Sequence, residues 1–250
     1  MGLFDFFRKS SSSGPAEQER MLSRHTERVM DKRSLSPDRF QSIEYLCKLG
    51  TEDAWRALLP RYNFTVDPSI TDREEKNYIF EAIAQAGDSA VEPVKEFLLK
   101  TTAVNWPLKM LQKLLSEEAF AAVLLKILAA EDTVYQKNPE RKIQAIISLE
   151  GIADARVAGV VGRFLEDASE DTRFHAARTL LALKSADVAA PLAALLARDD
   201  SMRVRTTIVD GLVEGAYAIP AEHREKVSGL LGRLPNGPFR ITPDGVIARA

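Results

Sequence analysis

From Arg39 onward the chain repeats itself, and this periodicity constrains the fold more than any other feature. A basic residue is followed by small or apolar residues at +3, +7 and +10, then a short polar break, then a second apolar run. Arg39 gives Ser42, Leu46 and Leu49, the break GTED, then Trp55, Leu58 and Leu59. Lys76 gives Ile79, Ile83 and Ala86, the break GDSA, then Val91, Val94, Phe97 and Leu98. Lys142 gives Ala145, Leu149 and Ile152, the break ADAR, then Val157, Val160, Val161, Phe164 and Leu165. Arg173 gives Ala176, Leu180 and Leu183, then Val188, Leu192, Leu195 and Leu196. Arg205 gives Ile208 and Leu212 before the pattern weakens at Gly215. Successive anchors lie 37, 66 (two copies), 31 and 32 residues apart.

The +3, +7, +10 spacing is helical, because one turn takes about 3.6 residues. Breaks of a few residues require the two helices of each copy to fold back antiparallel. One hairpin cannot bury both of its apolar stripes, but a stack of hairpins can. Pro107–Ala130 is a degenerate copy, striped by Leu108, Leu111 and Leu115, then by Phe120, Val123, Leu124, Ile127 and Leu128. The expected fold is an all-α solenoid of about six hairpins over residues 37–234.

The segments TRFHAARTLLAL, VRTTIVDGL, GDSAVEPVKEFLL and SADVAAPLAALL carry a resemblance to the HEAT-repeat family. In that family the first helix bears a basic residue near its start, the turn carries Asp and the second helix is apolar. The resemblance implies right-handed, armadillo-like stacking with second helices lining a concave face. It implies a binding scaffold rather than an enzyme. Two stretches depart from the pattern: Pro107–Ala130 lacks the acidic turn, and Pro220 interrupts the final hairpin.

Composition narrows the setting. Hydrophobic residues at 45% supply a core, and a net charge of −2 gives no global field toward nucleic acid or anionic lipid. The one cysteine, Cys47, excludes an intrachain disulfide and fits a reducing compartment, so the expected location is cytoplasmic. The opening MGLFDFFRKS reads as no secretory signal, since its short apolar part is broken by Asp5 and its charges follow rather than precede it.

Four regions stand outside the repeat. Residues 1–15 read as an aromatic tip (Leu3, Phe4, Phe6, Phe7) with a Ser-rich linker, and 16–33 as a leading helix striped by Met21, Leu22, Val29 and Met30. The leading helix and the repeats form one expected domain, 16–234. Arg61–Lys76 is a long connection in which Thr71-Asp72 is expected to cap a helix, with Glu74 or Glu75 completing a capping box. Residues 235–250 read as a β-hairpin cap, with strands Phe239–Thr242 and Val246–Arg249 around Pro243-Asp244-Gly245.

No catalytic constellation emerges. His25, His175 and His223 lack the spacing of a helical metal site, and GxGxxG, GxxxxGK[ST] and GxSxG are absent. No cofactor or metal is expected. Cys47 sits in an apolar stripe and reads as a small hydrophobe. Glu131-Asp132, Glu166-Asp167, Glu170-Asp171 and Asp199-Asp200 recur at hairpin ends, where they are expected to cap the next helix and pair with Arg173, Arg203 or Arg205. Basic residues on second helices are interleaved with Glu92, Glu96 and Glu166, which disfavours nucleic acid. The reading is therefore a cytoplasmic adaptor that holds a protein partner on its concave face. Its expected contacts are Phe4, Phe7, Trp55, Arg56, Tyr62, Lys95, Trp106, Arg163 and Arg198. Weak membrane-surface contact through residues 1–9 is a secondary expectation. The alternative is an enzyme-associated role like that of HEAT-like bilin lyases, on fold analogy.

Overall fold

The computed structural model describes residues 15–235 and 237–250. The chain divides into two compact units, Met1–Leu114 and Leu115–Ala250. The first holds α1 (Pro15–Met30), α2 (Ser36–Leu49), α3 (Glu52–Leu58), α4 (Ser69–Ala84), α5 (Asp88–Lys100) and α6 (Asn105–Leu114). Here α2 packs on α1, α3 and α4, while α5 packs on α3 and α6. Leu46, Leu58, Ile79, Ile83, Val94, Leu98 and Leu111 form its core.

The α2–α3 turn shows how the sequence closes a hairpin. Gly50 takes the left-handed conformation (φ 63°) that ends α2, and its N–H returns to the Leu46 carbonyl. Thr51 then caps α3 by accepting from the Ala54 N–H. Leu49, expected in the stripe, is 40% exposed because the helix ends beneath it.

The second unit holds α7 (Glu117–Ala130), α8 (Glu140–Ser148), α9 (Ala155–Gly162), α10 (Glu170–Ala182), α11 (Ala189–Leu196), α12 (Met202–Glu214) and α13 (Ala221–Leu231). First helices pack in the series α8, α10, α12, and the second helices α7 and α9 pack on each other, as do α11 and α13. This is the arrangement of a helical-repeat solenoid. The strands β1 (Phe239–Ile241) and β2 (Ile247–Arg249) pair antiparallel, Phe239 opposite Arg249, and pack on α13 and α12 respectively.

Several local expectations are corrected. Helix α1 ends at Met30, short of Arg33, because the Asp31 carboxylate takes the Arg33 N–H and the Ser34 hydroxyl. Its buried face is His25 and Val29, with Met30 37% exposed. Helix α4 begins at Ser69, so Asp72 lies inside its first turn and serves as an ion-pair partner rather than as a cap. Pro220, expected to interrupt the final hairpin, stands at the N-cap of α13, where its missing N–H costs nothing. The strands are one residue shorter at the turn than expected, because Val246 bridges to Ala218.

Candidate interaction site

The recurring basic residues are fold elements. The Lys142 ammonium lies 2.7 Å from the Asp167 carboxylate, both side chains fully buried. Arg173 donates through Nε to Asp199 at 2.6 Å and through Nη1 to the Asp167 carbonyl at 2.9 Å. The same two aspartates accept the N–H of Ser169 and of Ser201, each at 2.9 Å. Those serines are the caps of α10 and α12, taking the Thr172 and Val204 N–H groups. The acidic residues therefore pin the turn and the preceding first helix, and capping falls to serine, whose short side chain reaches the third N–H without crossing the buried pair. Burial pushes the Asp199 carboxyl up, but the Arg173 and Ser201 hydrogen bonds hold it below its ordinary value. Arg205 has a looser arrangement, 3.9 Å from the exposed Asp200.

In the first unit the same positions are wired differently. Glu75 accepts from Arg39 at 2.9 Å and from Arg61 at 2.8 Å, with all three side chains essentially buried. Arg61 also donates to Asp72 at 2.7 Å, and Lys76 joins Asp72 at 2.8 Å. The long connection 61–76 is thus tied to the core by charge.

These pairs decide where the expected contact residues stand. Trp55 is buried and donates its indole N–H to Ser89. Tyr62 is buried, and its hydroxyl donates to the Lys76 carbonyl at 2.7 Å. Trp106 is half-buried, with its ring 4.9 Å from Tyr62 and 6.0 Å from Phe80. These rings pack between repeats, and the expectation that they anchor a partner is corrected for Trp55 and Tyr62. Arg56 is engaged by Glu52, Asp53 and Glu96, and Lys95 by Glu92. Arg198 pairs with Glu166, and Arg163 donates to the Glu131 carbonyl. Phe4 and Phe7 lie outside the described residues.

The titratable candidates are equally placed. His25 stacks on Tyr45 at 4.0 Å, with its Nδ1 3.0 Å from the Ser42 hydroxyl. Burial lowers its pKa, helped by Arg28 and Arg24. Burial also lowers that of His175, next to Arg203 and Arg178. Cys47 is half-buried, and burial with Glu44 nearby pushes its thiol up to about 12, which keeps it protonated and unreactive. Among the described residues no group of three His, Cys, Asp or Glu is placed to hold a metal ion. No described helix is long and apolar enough to cross a membrane.

A groove of about 640 Å3 lies where the first helices of the second unit end. Glu150 borders it just past α8, followed by Phe174, Arg178, Leu181 and Lys184 from α10 and its turn, and by Asp210, Glu214 and Tyr217 from α12 and its turn. Gly211 and Gly215 form part of the floor. A Cβ on Gly211 would stand 2.4 Å from the Leu181 side chain, and one on Gly215 would stand 2.1 Å from the Tyr217 ring. Only bare backbone lets Leu181 and Tyr217 lie there. Arg178 donates to Glu150 at 2.8 Å, and Arg203 lies 3.7 Å over the Phe174 ring. Sequence reading missed this site, since it looked to second helices. The available signal was Gly211-x-x-x-Gly215, which places two glycines on one helix face, followed at once by Tyr217.

Stacked hairpins presenting a groove composed from consecutive repeats define a helical-repeat protein. Residues 121–213 match the family model for HEAT repeats, so this stretch of the chain is similar to HEAT-repeat proteins. The match runs from within α7 to within α12, the span that carries the Lys142 and Arg173 pairs. No curated protein matches the chain significantly. HEAT repeats are a fold of the protein-interaction scaffold kind and are generally non-catalytic.

Proposed function

We propose that this protein is a non-catalytic adaptor whose repeat array binds a protein partner, with the groove of the second unit as its contact surface. The observation that carries this is the composite groove: three successive repeats each contribute side chains, so only the assembled stack presents it. The basic residues first expected to touch a partner support this placement, because Arg56, Lys95, Arg163 and Arg198 are already engaged at home. A partner would have to break those pairs, whereas the groove presents aromatic surface with charges at its rim, the composition of an interaction hot spot.

The test is affinity capture from the native cell with the full chain, run in parallel with a Glu214→Lys variant. Glu214 is exposed, so the change leaves the core intact. A protein recovered by the wild type and depleted about tenfold with the variant is the expected result, a loss of about 1.4 kcal/mol. Equal recovery by both removes the groove from the proposal, and recovery of no protein by the wild type removes the adaptor reading.

A further inference from the structure

The groove's electrostatics specify what kind of partner it takes. Helix α8 ends two residues before Glu150, α10 ends at Ala182 within the groove wall, and α12 ends at Glu214 on its rim. Three helix C-termini therefore converge on one cavity, and the aligned peptide dipoles give each a partial negative charge. The side chains add to this. Glu150, Asp210 and Glu214 line the groove against Arg178 and Lys184, and Arg178 is bound to Glu150. Aromatic surface completes the environment. The Phe174 ring already holds the Arg203 guanidinium at 3.7 Å, which shows that ring faces in this wall accept cations, and Tyr217 lies on the opposite strip, against Gly215.

We propose that the groove recognises a basic segment of the partner, with an arginine or lysine side chain entering beside Glu214 and lying along Tyr217. This rests on the adaptor reading and names the chemistry of its partner. Convergent helix C-termini attract a cation and repel an anion, so an acidic segment is rejected by the same feature that favours a basic one. A purely apolar segment would desolvate the Glu214 carboxylate and bring it no counter-charge, which is unfavourable. A guanidinium satisfies both requirements, since its edge donates to carboxylate and its face stacks on a ring.

The experiment is a titration of the 15N-labelled full chain with N-acetyl-arginine methylamide, followed by amide chemical shifts. N-acetyl-glutamate methylamide and N-acetyl-leucine methylamide serve as controls. The amides of Gly211, Gly215 and Tyr217 are expected to shift saturably with the arginine probe only. Affinity is expected to fall about fivefold in Glu214→Gln and again when salt is raised roughly tenfold, as screening requires. Glu117→Gln, an exposed change on α7, is expected to leave the titration unaltered. The proposal is overturned by shifts spread over the acidic surface without saturation at the groove. An equal response to the leucine probe, or indifference to Glu214→Gln, overturns it too. A partner captured through the groove while the arginine probe stays silent would sink this inference and spare the adaptor reading. Probe binding with no captured partner would do the reverse.

Discussion

The two units use one sequence pattern and wire it in two ways. In the second unit two of the three basic anchors meet an aspartate of their own repeat, Lys142 with Asp167 and Arg173 with Asp199, while Arg205 stands 3.9 Å from Asp200 of the preceding turn. In the first unit Arg39 reaches out of its repeat to Glu75, in the second turn of the next first helix, and Arg61 arrives at the same carboxylate from the intervening connection. The cause is local. The second-unit partners lie 25 and 26 residues beyond their anchors; the same offsets give Phe64 and Thr65 from Arg39, and Thr101 and Thr102 from Lys76, so neither first-unit copy has an aspartate at that position. A buried cation without a partner is prohibitively costly, so the chain must supply a carboxylate from elsewhere. The lesson is that the period fixes which face an anchor occupies, while the length of the connection decides what it pairs with.

That contrast can be broken experimentally, beginning with its largest expected effect. Glu75→Gln takes the carboxylate from buried Arg39 and leaves buried Arg61 with Asp72 alone, and should cost about 5 kcal/mol, the top of the range for breaking a buried pair, measured by urea unfolding. A loss below about 1 kcal/mol would mean that Glu75 is no hub. Asp167→Asn strands one ammonium and should cost less, about 3 kcal/mol, with the difference between the two variants measuring what a shared carboxylate adds. Leu180→Ala, a fully buried truncation in α10, should cost about 2–5 kcal/mol in the same assay, and a negligible change would mean the helix phase is misassigned.

Acid should act on both units through their histidines. His25 and His175 have folded pKa values below the unfolded 6.5, so the unfolded chain binds more protons than the folded one as pH falls past that value. Stability is therefore full above about pH 7 and is lost as pH drops below 6.5 through the folded values. The carboxylates Asp72 and Asp199, held below 3.8, lose their contribution in a separate and more acidic window. Replacing both histidines by Gln should flatten the first window in pH-dependent melting and leave the second. The smallest effect is expected from Arg198→Ala, which removes an exposed pair and should cost less than about 1 kcal/mol in urea unfolding.

The helical phases were legible because each copy spends only a few side chains on its core face, and Leu46, Ile79, Ile83, Ala145, Leu180 and Ile208 all fall where the repeat puts them. The C-terminal hairpin was legible because Pro243-Asp244-Gly245 leaves few alternatives: Gly245 has φ 89°, and a Cβ there would meet Arg224 at 2.2 Å. Ion-pair partners were harder to read. Asp199 could be placed at a turn from sequence, but its pairing with Arg173, 26 residues earlier, rather than with the nearer Arg205 follows no local pattern. The aromatic residues misled for a related reason: Trp55 and Tyr62 satisfy their polar atoms through Ser89 and the Lys76 carbonyl, contacts 34 and 14 residues away that no local pattern reveals. The groove was least legible, since it is assembled from the ends and turns of three copies that each look ordinary alone.

The claim that the repeat-phase charges hold the fold, by different wiring in the two units, is tested most directly by paired double-mutant cycles. One cycle combines Arg39→Met with Glu75→Gln, the other Lys142→Met with Asp167→Asn, each read by urea unfolding. Coupling above about 1.5 kcal/mol in both cycles is the predicted result, with residual destabilisation in the Arg39–Glu75 double variant because Arg61 has lost one of its two carboxylates and keeps only Asp72. Coupling within about 0.3 kcal/mol of zero in either cycle would contradict the account.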